Sequence, residues 1–499
     1  MGDYDKFQTN KLTSKTQKRM KHLLSIVFIL AASTGVFLAE ATESKERPNF
    51  LIIMVDDLSP EQFACYGNEV NHTPNLDALA AGGVKFNTAW ATPMCSPTRA
   101  LMVTGRYASR TGVWHNDLRL NCTKQTRWNW VSKHLTFPRV LREHGYRTAI
   151  VGNPMALGGS IYSKDVGFDE QCVRALTLQD VPEGSTFTGK FEGKYNFPDA
   201  KPVPARYWHP CVIRNGELMK TTAEDFGPDL YAGFLIDFIK RHEDQPFLAY
   251  YPMNLVHDMA GGGIPTTPVN GTPGSNKGGS LQGLVEYIDI LVGRLMDGLE
   301  SAGLRDNTIV IFTCDNGENG KKMHASEDGP RVPFIVNCPG LIQQRGATDE
   351  LMEFSDIYPT LMEFSGASVP DGYALDGQSL VPFLTGATDM HREWITSYIA
   401  TARMVRTERW LLEAVDPVYG DSEGRLFDCG DAHLRTHYKD ITGSPEALPI
   451  RKKLEELLEN NPWPDLSDPD VVAEVDSYDT MPYKHFVNGQ LVKEQNDRK

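Results

Sequence analysis

The chain has 499 residues, of which 40% are hydrophobic and 23% charged, and a formal net charge of -15. That length exceeds one small domain, and that balance is ordinary for a folded protein and excludes disorder as the default. The acidic charge argues against a nucleic-acid binder, which needs clustered Lys and Arg, but leaves room for a local basic pocket around an anionic substrate.

The first elements read as export. Lys15, Lys18, Arg19 and Lys21 precede an apolar run from Leu23 to Leu38, and Ala39-Glu40-Ala41 supplies a small-x-small cleavage pattern. Residues 1–41 are therefore expected to be a signal peptide, with an uncleaved signal anchor as the competing reading. Cleavage implies a secreted or periplasmic protein without further membrane attachment. The chain has eight cysteines, Cys65, Cys95, Cys122, Cys172, Cys211, Cys314, Cys338 and Cys429. An oxidising compartment would allow disulfides, but spacing alone assigns no pairs.

Asn49 to Val55 is a continuous apolar run, the pattern of a strand buried on both faces of a parallel sheet. Helical patterns follow over Asn75 to Gly82 and over Leu135 to Gly145, the second ending in a glycine stop signal. Strand-like runs recur at Ala149 to Val151, Phe247 to Tyr251, Thr308 to Thr313 and Phe334 to Asn337, with the longest helix between them over Leu281 to Gly303. This alternation predicts an α/β fold with a large, mostly parallel sheet flanked by helices. Ser185 to Pro204 and Gly261 to Gly279 are rich in loop-forming residues and read as surface loops able to touch substrate. From His391 the pattern changes to short strands at Ile395 to Ala400, Met404 to Thr407 and Trp410 to Ala414, then a helix over Glu446 to Glu459. A catalytic domain over 46–390 and a smaller α+β C-terminal subdomain over 391–499 are expected.

Four clusters carry chemistry. Asp56-Asp57 closes the first strand, where paired carboxylates are costly to bury without a cation. Asp315-Asn316-Gly317 closes another strand and adds oxygen donors of the kind calcium or magnesium prefers. Cys95-Ser96-Pro97-Thr98-Arg99 is followed by Leu101-Met102-Val103-Thr104-Gly105-Arg106, and His257 and Lys322 supply a proton carrier and a cation. Lys321 is adjacent to Lys322, so the register of that lysine is open by one residue. Ligand sites in open α/β sheets lie beyond the strands' carboxyl ends, where such distant segments converge.

The Cys95-to-Arg106 stretch resembles the signature of the formylglycine-dependent (type I) sulfatases, members of the alkaline-phosphatase-like superfamily. Further blocks are similar in order: Asn49 to Leu58, Thr73 to Asp77, Asp306 to Asn316, Gly329 to Pro333, Asp356 to Thr360, and the tail from Arg403 through Asp428. The resemblance runs from about residue 48 to about residue 440. It implies sulfate-ester hydrolysis, with these roles. Cys95 becomes formylglycine through a formylglycine-generating or maturase enzyme. Asp56, Asp57, Asp315, Asn316 and the modified Cys95 hold calcium, with magnesium as the alternative. Arg99 and Lys322 stabilise charge on the sulfuryl oxygens, and His257 protonates the leaving group. A sulfated carbohydrate is the expected substrate class.

One block departs from that pattern. Where sulfatases usually carry Gly-Lys-Trp-His-Leu-Gly, this chain reads Gly152-Asn153-Pro154-Met155-Ala156-Leu157-Gly158. Asn153 is expected to fill part of the vacated substrate contact, with His115 or His144 as further candidates and a cation from another segment expected beside Cys95. Cys314 also replaces the usual serine before Asp315. A phosphonate or phosphodiester hydrolase of the same superfamily, or a silent sulfated-glycan-binding relative, is the alternative function.

Overall fold

The structure is a computed structural model. It describes residues 47–499 except 115, 117–133, 156, 158–159, 161–162, 195–200, 270–271, 273–277, 319, 400–401, 414–420, 422–423, 460–484, 488–489 and 493–499. The export-signal reading, His115 and Cys122 lie outside the described residues. Pro48–Lys499 forms one compact unit.

Among the described residues, ten strands make the central sheet: β1 (Asn49–Val55), β2 (Val84–Trp90), β3 (Arg147–Gly152), β4 (Glu170–Arg174), β5 (Val212–Arg214), β6 (Glu217–Leu218), β7 (Phe247–Pro252), β8 (Thr308–Cys314), β9 (Phe334–Asn337) and β10 (Gly346–Glu353). Their spatial order is β10-β2-β9-β8-β1-β7-β3-β4-β5-β6. The centre, β8-β1-β7-β3-β4, is parallel throughout. Its strands are the continuous apolar runs of the sequence, and β1, β7 and β8 are buried at every position. The flanks are mixed. β9 runs antiparallel between β8 and β2, and β5 and β6 close the far edge antiparallel. The sequence pattern shows β9 but misses β2, β5 and β6, because β2 (Val-Lys-Phe-Asn-Thr-Ala-Trp) is not uniformly apolar and β5 and β6 are too short to show a period.

Helices cover the sheet: α1 (Pro74–Ala81), α2 (Cys95–Thr104), α3 (Phe137–Glu143), α4 (Gly227–Arg241), α5 (Leu281–Ser301) and α6 (Ile357–Ser365). α5 starts where the Ser280 hydroxyl accepts from the Gly283 amide at 3.0 Å, and buries Leu284, Tyr287, Ile288, Leu291 and Leu295 along one stripe. No helix among the described residues is long and apolar enough to cross a membrane.

A second, five-stranded antiparallel sheet spans Trp394 to Asp440, and α7 (Ala447–Glu459) packs on it. Val405, Leu412, Leu426, Leu454 and Leu458 form its own apolar cluster. A buried ion pair between Arg406 of this sheet and Glu327 ties it to the segment that carries Lys322, and the Glu327 amide donates to Glu413 Oε1 at 3.0 Å. Among the described residues Cys65, Cys95, Cys172, Cys211, Cys314, Cys338 and Cys429 carry free thiols.

Candidate active site

The site grows from two neighbouring strand ends. β1 and β8 pair in parallel with Val55 opposite Cys314, so the next residues, Asp56 and Asp315, emerge side by side at the carboxyl edge. Asp57 turns back in the left-handed region at φ 62°, and its amide donates to Asp315 Oδ1 at 3.2 Å. Asn316 Nδ2 donates to Asp57 Oδ1 at 2.7 Å. Gly317 is required at the following bend, because a Cβ there would lie 2.1 Å from the Asp328 carbonyl.

Helix α2 delivers two further groups from one turn. Cys95 is its first residue, and Arg99 lies four residues on, the spacing that puts both on one face. The Cys95 sulfur lies 3.9 Å from Asp56 Oδ1 and 3.8 Å from Asp57 Oδ1. Arg99 is fully buried and donates to Asp315 Oδ2 at 2.7 Å, to Asp56 Oδ2 at 3.1 Å and to the Asn153 carbonyl at 3.3 Å. Burial opposes its charge, but Asp315 and Asp56 outweigh burial and keep the guanidinium protonated.

The electrostatics fit a divalent cation. Asp56, Asp57, Cys95 and Asp315 each offer a ligand atom, and these atoms lie within 4.8 Å of one another. Asn316 Oδ1 is buried without a hydrogen-bond partner, although buried amide oxygens are almost always satisfied. Burial and the neighbouring Asp56 push the Asp315 carboxyl up to about 7, against the pull of Arg99. Burial and the same carboxylates raise the Cys95 thiol well above its usual value. An unmodified Cys95 is thus a protonated thiol, a poor nucleophile despite its place at a helix N-terminus. A divalent cation would relieve the crowding of carboxylates and take up the orphaned amide oxygen.

One lysine and a histidine complete the constellation. Lys322 pairs closely with Asp57 Oδ2, and Asp57 holds its ammonium charged although burial opposes it. Lys321 instead pairs with Glu318 at 2.8 Å, so of the two lysines it is Lys322 that meets Asp57. His257 Nε2 lies 3.7 Å from Asp57 Oδ2, and Nδ1 lies 2.9 Å from the Asp258 carbonyl. Of the two groups at Nδ1, the Asp258 carbonyl is closer than Arg206 Nη1 at 3.5 Å and only accepts, so it sets the hydrogen on Nδ1, and Nε2 faces the carboxylates. Burial holds His257 below its usual range, with Asp57 pulling the other way.

The altered block is held by strand β3. Gly152 adopts φ 89°, and a Cβ there would sit 2.3 Å from the Pro252 carbonyl. Asn153 follows, 1% exposed, with Nδ2 donating to Asp56 Oδ2 at 2.9 Å and Oδ1 accepting from Arg174 Nε at 3.1 Å. Both ends of its amide are committed to protein groups, a different place from the substrate contact expected of it. His144 is exposed at the end of α3, before β3 begins, and so lies at the opposite end of that strand from Asn153. The cation brought in from another segment is Arg174, and it reaches Asn153 rather than Cys95.

The chain matches the family model described as Sulfatase over residues 48–367. The chain belongs to the sulfatase family. Human arylsulfatase D is 26% identical over 431 residues, covering 69% of this chain and 70% of that protein. N-acetylgalactosamine-6-sulfatase of Canis lupus familiaris is 27% identical, covering 69% and 67%. The solved structure of Ps i-CgsB in complex with k-i-k-neocarrahexaose superposes with a TM-score of 0.65 at 22% identity, covering 84% of this chain and 93% of that one. With its family, this sulfatase is a sulfuric ester hydrolase, and its fold is the alkaline-phosphatase-like one expected from the sequence.

Three residues of the sulfatase site escaped sequence reasoning. Arg174 ends β4, a five-residue strand with too little apolar pattern to be seen. Glu192 and Arg206 pair at 2.6 Å, and Arg206 Nη1 lies 3.5 Å from His257 Nδ1. They belong to the loop expected over Ser185 to Pro204 and its margin, which forms a short ribbon, Phe191–Gly193 with Val203–Pro204. The Gly261 amide donates to the Glu192 carbonyl at 3.1 Å, so the two loop segments of the sequence meet beside His257. A lone Arg or Glu in a Gly/Pro-rich stretch carries no signal of that meeting.

Proposed function

We propose that this sulfatase cleaves the sulfate ester of a sulfated carbohydrate, using a formylglycine made from Cys95 and one calcium ion at Asp56, Asp57, Asp315 and Asn316. The observation that carries the reading is the Cys95 side chain, set against two strand-end carboxylates and inside a cluster of four possible metal ligands. A hydrated formylglycine would supply an oxygen nucleophile at that point, and a divalent cation would lower that oxygen's pKa.

The chain's own residues account for the rest. Arg99 is clamped by Asp315 and Asp56, so its guanidinium is preorganised and adds positive charge beside residue 95 at no cost of rearrangement. Lys322 reaches the same centre through Asp57 and would bind a sulfuryl oxygen. His257 presents Nε2 to the site and, in the imidazolium form that burial opposes and Asp57 favours, would hand a proton to the leaving alkoxide. Cys95 is 2% exposed, so conversion by a formylglycine-generating or maturase enzyme would act on the chain before it folds.

The carbohydrate substrate class is supported by the names of two relatives, one an N-acetylgalactosamine-6-sulfatase and one solved with a neocarrahexaose. The ribbon and loop beside His257 would form the wall that receives the sugar. Export through the leading segment would place the enzyme outside the cytoplasm. Sulfate release from a panel of sulfated glycans, assayed with protein made in a host that carries the modifying enzyme, tests the reading. Release from at least one glycan, abolished in Cys95→Ala, is expected; silence across the panel with fully modified protein would overturn it.

A further inference from the structure

Asn153 has an amide whose orientation is decided by its neighbours. Its Oδ1 lies 3.1 Å from Arg174 Nε and 3.3 Å from the Met155 amide nitrogen. A guanidinium and a backbone N–H only donate, so the oxygen must face them. The amide nitrogen is thereby turned to Asp56, donating to Oδ2 at 2.9 Å. Arg99 donates to the same Oδ2 at 3.1 Å. With two donors on Oδ2, the other oxygen, Oδ1, is the one turned toward residue 95, at 3.9 Å from its sulfur.

Every member of this chain is buried: Arg174 is 4% exposed, Asn153 1% and Asp56 0%. The backbone holds the same line. The Asn153 amide donates to the Pro252 carbonyl at 2.7 Å, and Gly152 and Val173 are register partners in the paired strands β3 and β4. Arg174 is the last residue of the strand beside the altered block and pairs with Val212 on its other side, so its position is fixed by the sheet and not by a loop.

We propose that Arg174 is a positioning residue of the cation centre: it fixes the Asn153 amide, and through that amide it sets the Asp56 carboxylate with Oδ1 turned to the cation. The proposal rests on the reading that Asp56, Asp57, Asp315 and Asn316 hold a divalent ion. It gives the altered block a task different from a sulfate contact, namely orienting a metal ligand from behind. Partners that orient a metal's ligands in this way typically change affinity by about 10- to 100-fold when removed.

The test is a calcium titration of thermal stability on the full chain, comparing wild type with Arg174→Met, Arg174→Lys, Asn153→Ala and the Arg174→Met/Asn153→Ala double variant. Metal that binds only the folded state raises the melting temperature with concentration, so the titration reads affinity without turnover. Arg174→Met and Asn153→Ala are each expected to raise the calcium concentration for half-maximal stabilisation about tenfold. The double variant is expected to match the single ones, and Arg174→Lys, which keeps a donor, to recover most of the loss. A purely structural arginine would lower the melting temperature equally with and without calcium and leave the midpoint unchanged, which would overturn the proposal. Additive losses in the double variant would also overturn it, because Arg174 would then act independently of Asn153. Should Arg174→Met not fold, an unchanged midpoint in Asn153→Ala overturns the proposal by itself. A wild type that calcium does not stabilise overturns the cation reading, and Arg174's role with it; a stabilised wild type with unaffected variants overturns this proposal alone.

Discussion

Arg99 and Asp315 form a buried ion pair at 2.7 Å, with both side chains fully inaccessible to solvent. The pair joins the helix that begins at Cys95 to the strand end that carries the second half of the proposed cation site. It is both a clamp and a charge in the pocket, so its loss has two separable effects.

Arg99→Ala leaves Asp56 and Asp315 buried without their shared partner. Removing one member of a buried pair typically costs about 3–5 kcal/mol. Denaturant unfolding in chelator should show a loss of that order, and calcium should recover part of it, because the added charge then balances the carboxylates. Turnover should stay lost even where calcium restores the fold.

The two adjacent lysines have opposite fates. Lys322→Ala removes a charge held against Asp57 and should lower kcat by about 100- to 1,000-fold, the range for one preorganised stabilising donor. Lys321 is paired with Glu318 and is partly exposed, so Lys321→Ala should leave kcat within about twofold and stability within about 0.5 kcal/mol. Steady-state kinetics on both variants decide it; an inverse result would move the site lysine to 321.

Asp356 predicts a pH effect away from the cation site. Burial would raise its pKa, but Arg392 and His391 outweigh burial and hold it below its usual value. A depressed carboxyl contributes stability above its unfolded pKa, and that contribution is lost as pH falls through the folded one. Asp356→Asn should therefore be clearly less stable than wild type at pH 7, with the gap narrowing below about pH 4. Urea unfolding across that window measures it, and a gap that is flat with pH would contradict the assignment.

Much of this was legible in the sequence. Asn49–Val55 and Thr308–Cys314 show themselves as buried parallel strands, and each ends in the acids that face residue 95, because a fully buried strand must be apolar until the chain leaves the sheet. The distribution of roles inside the altered block was not legible. That Asn153 faces Asp56 depends on Arg174, whose strand is short and whose neighbour in space lies on another strand of the sheet. The link between Glu192, Arg206 and His257 was hidden for a similar reason, since side chains in a loop without periodicity reveal their partners only when folded. The edge strands β5 and β6 were lost to brevity.

Conversion of Cys95 should be visible as a peptide whose thiol is replaced by an aldehyde. Mass spectrometry of protein from a host with the modifying enzyme should show it, and protein from a host without that enzyme should keep the thiol. Cys95→Ala should fold and fail to turn over, because the side chain makes only long sulfur contacts to Asp56 and Asp57.

The central claim is that sulfate release runs through residue 95. The most direct measurement prepares the enzyme at several degrees of conversion and plots the sulfate-release rate on one accepted glycan against the formylglycine fraction in each preparation. The account predicts a straight line through the origin. A rate that persists in wholly unconverted protein, or that fails to rise with conversion, would contradict it.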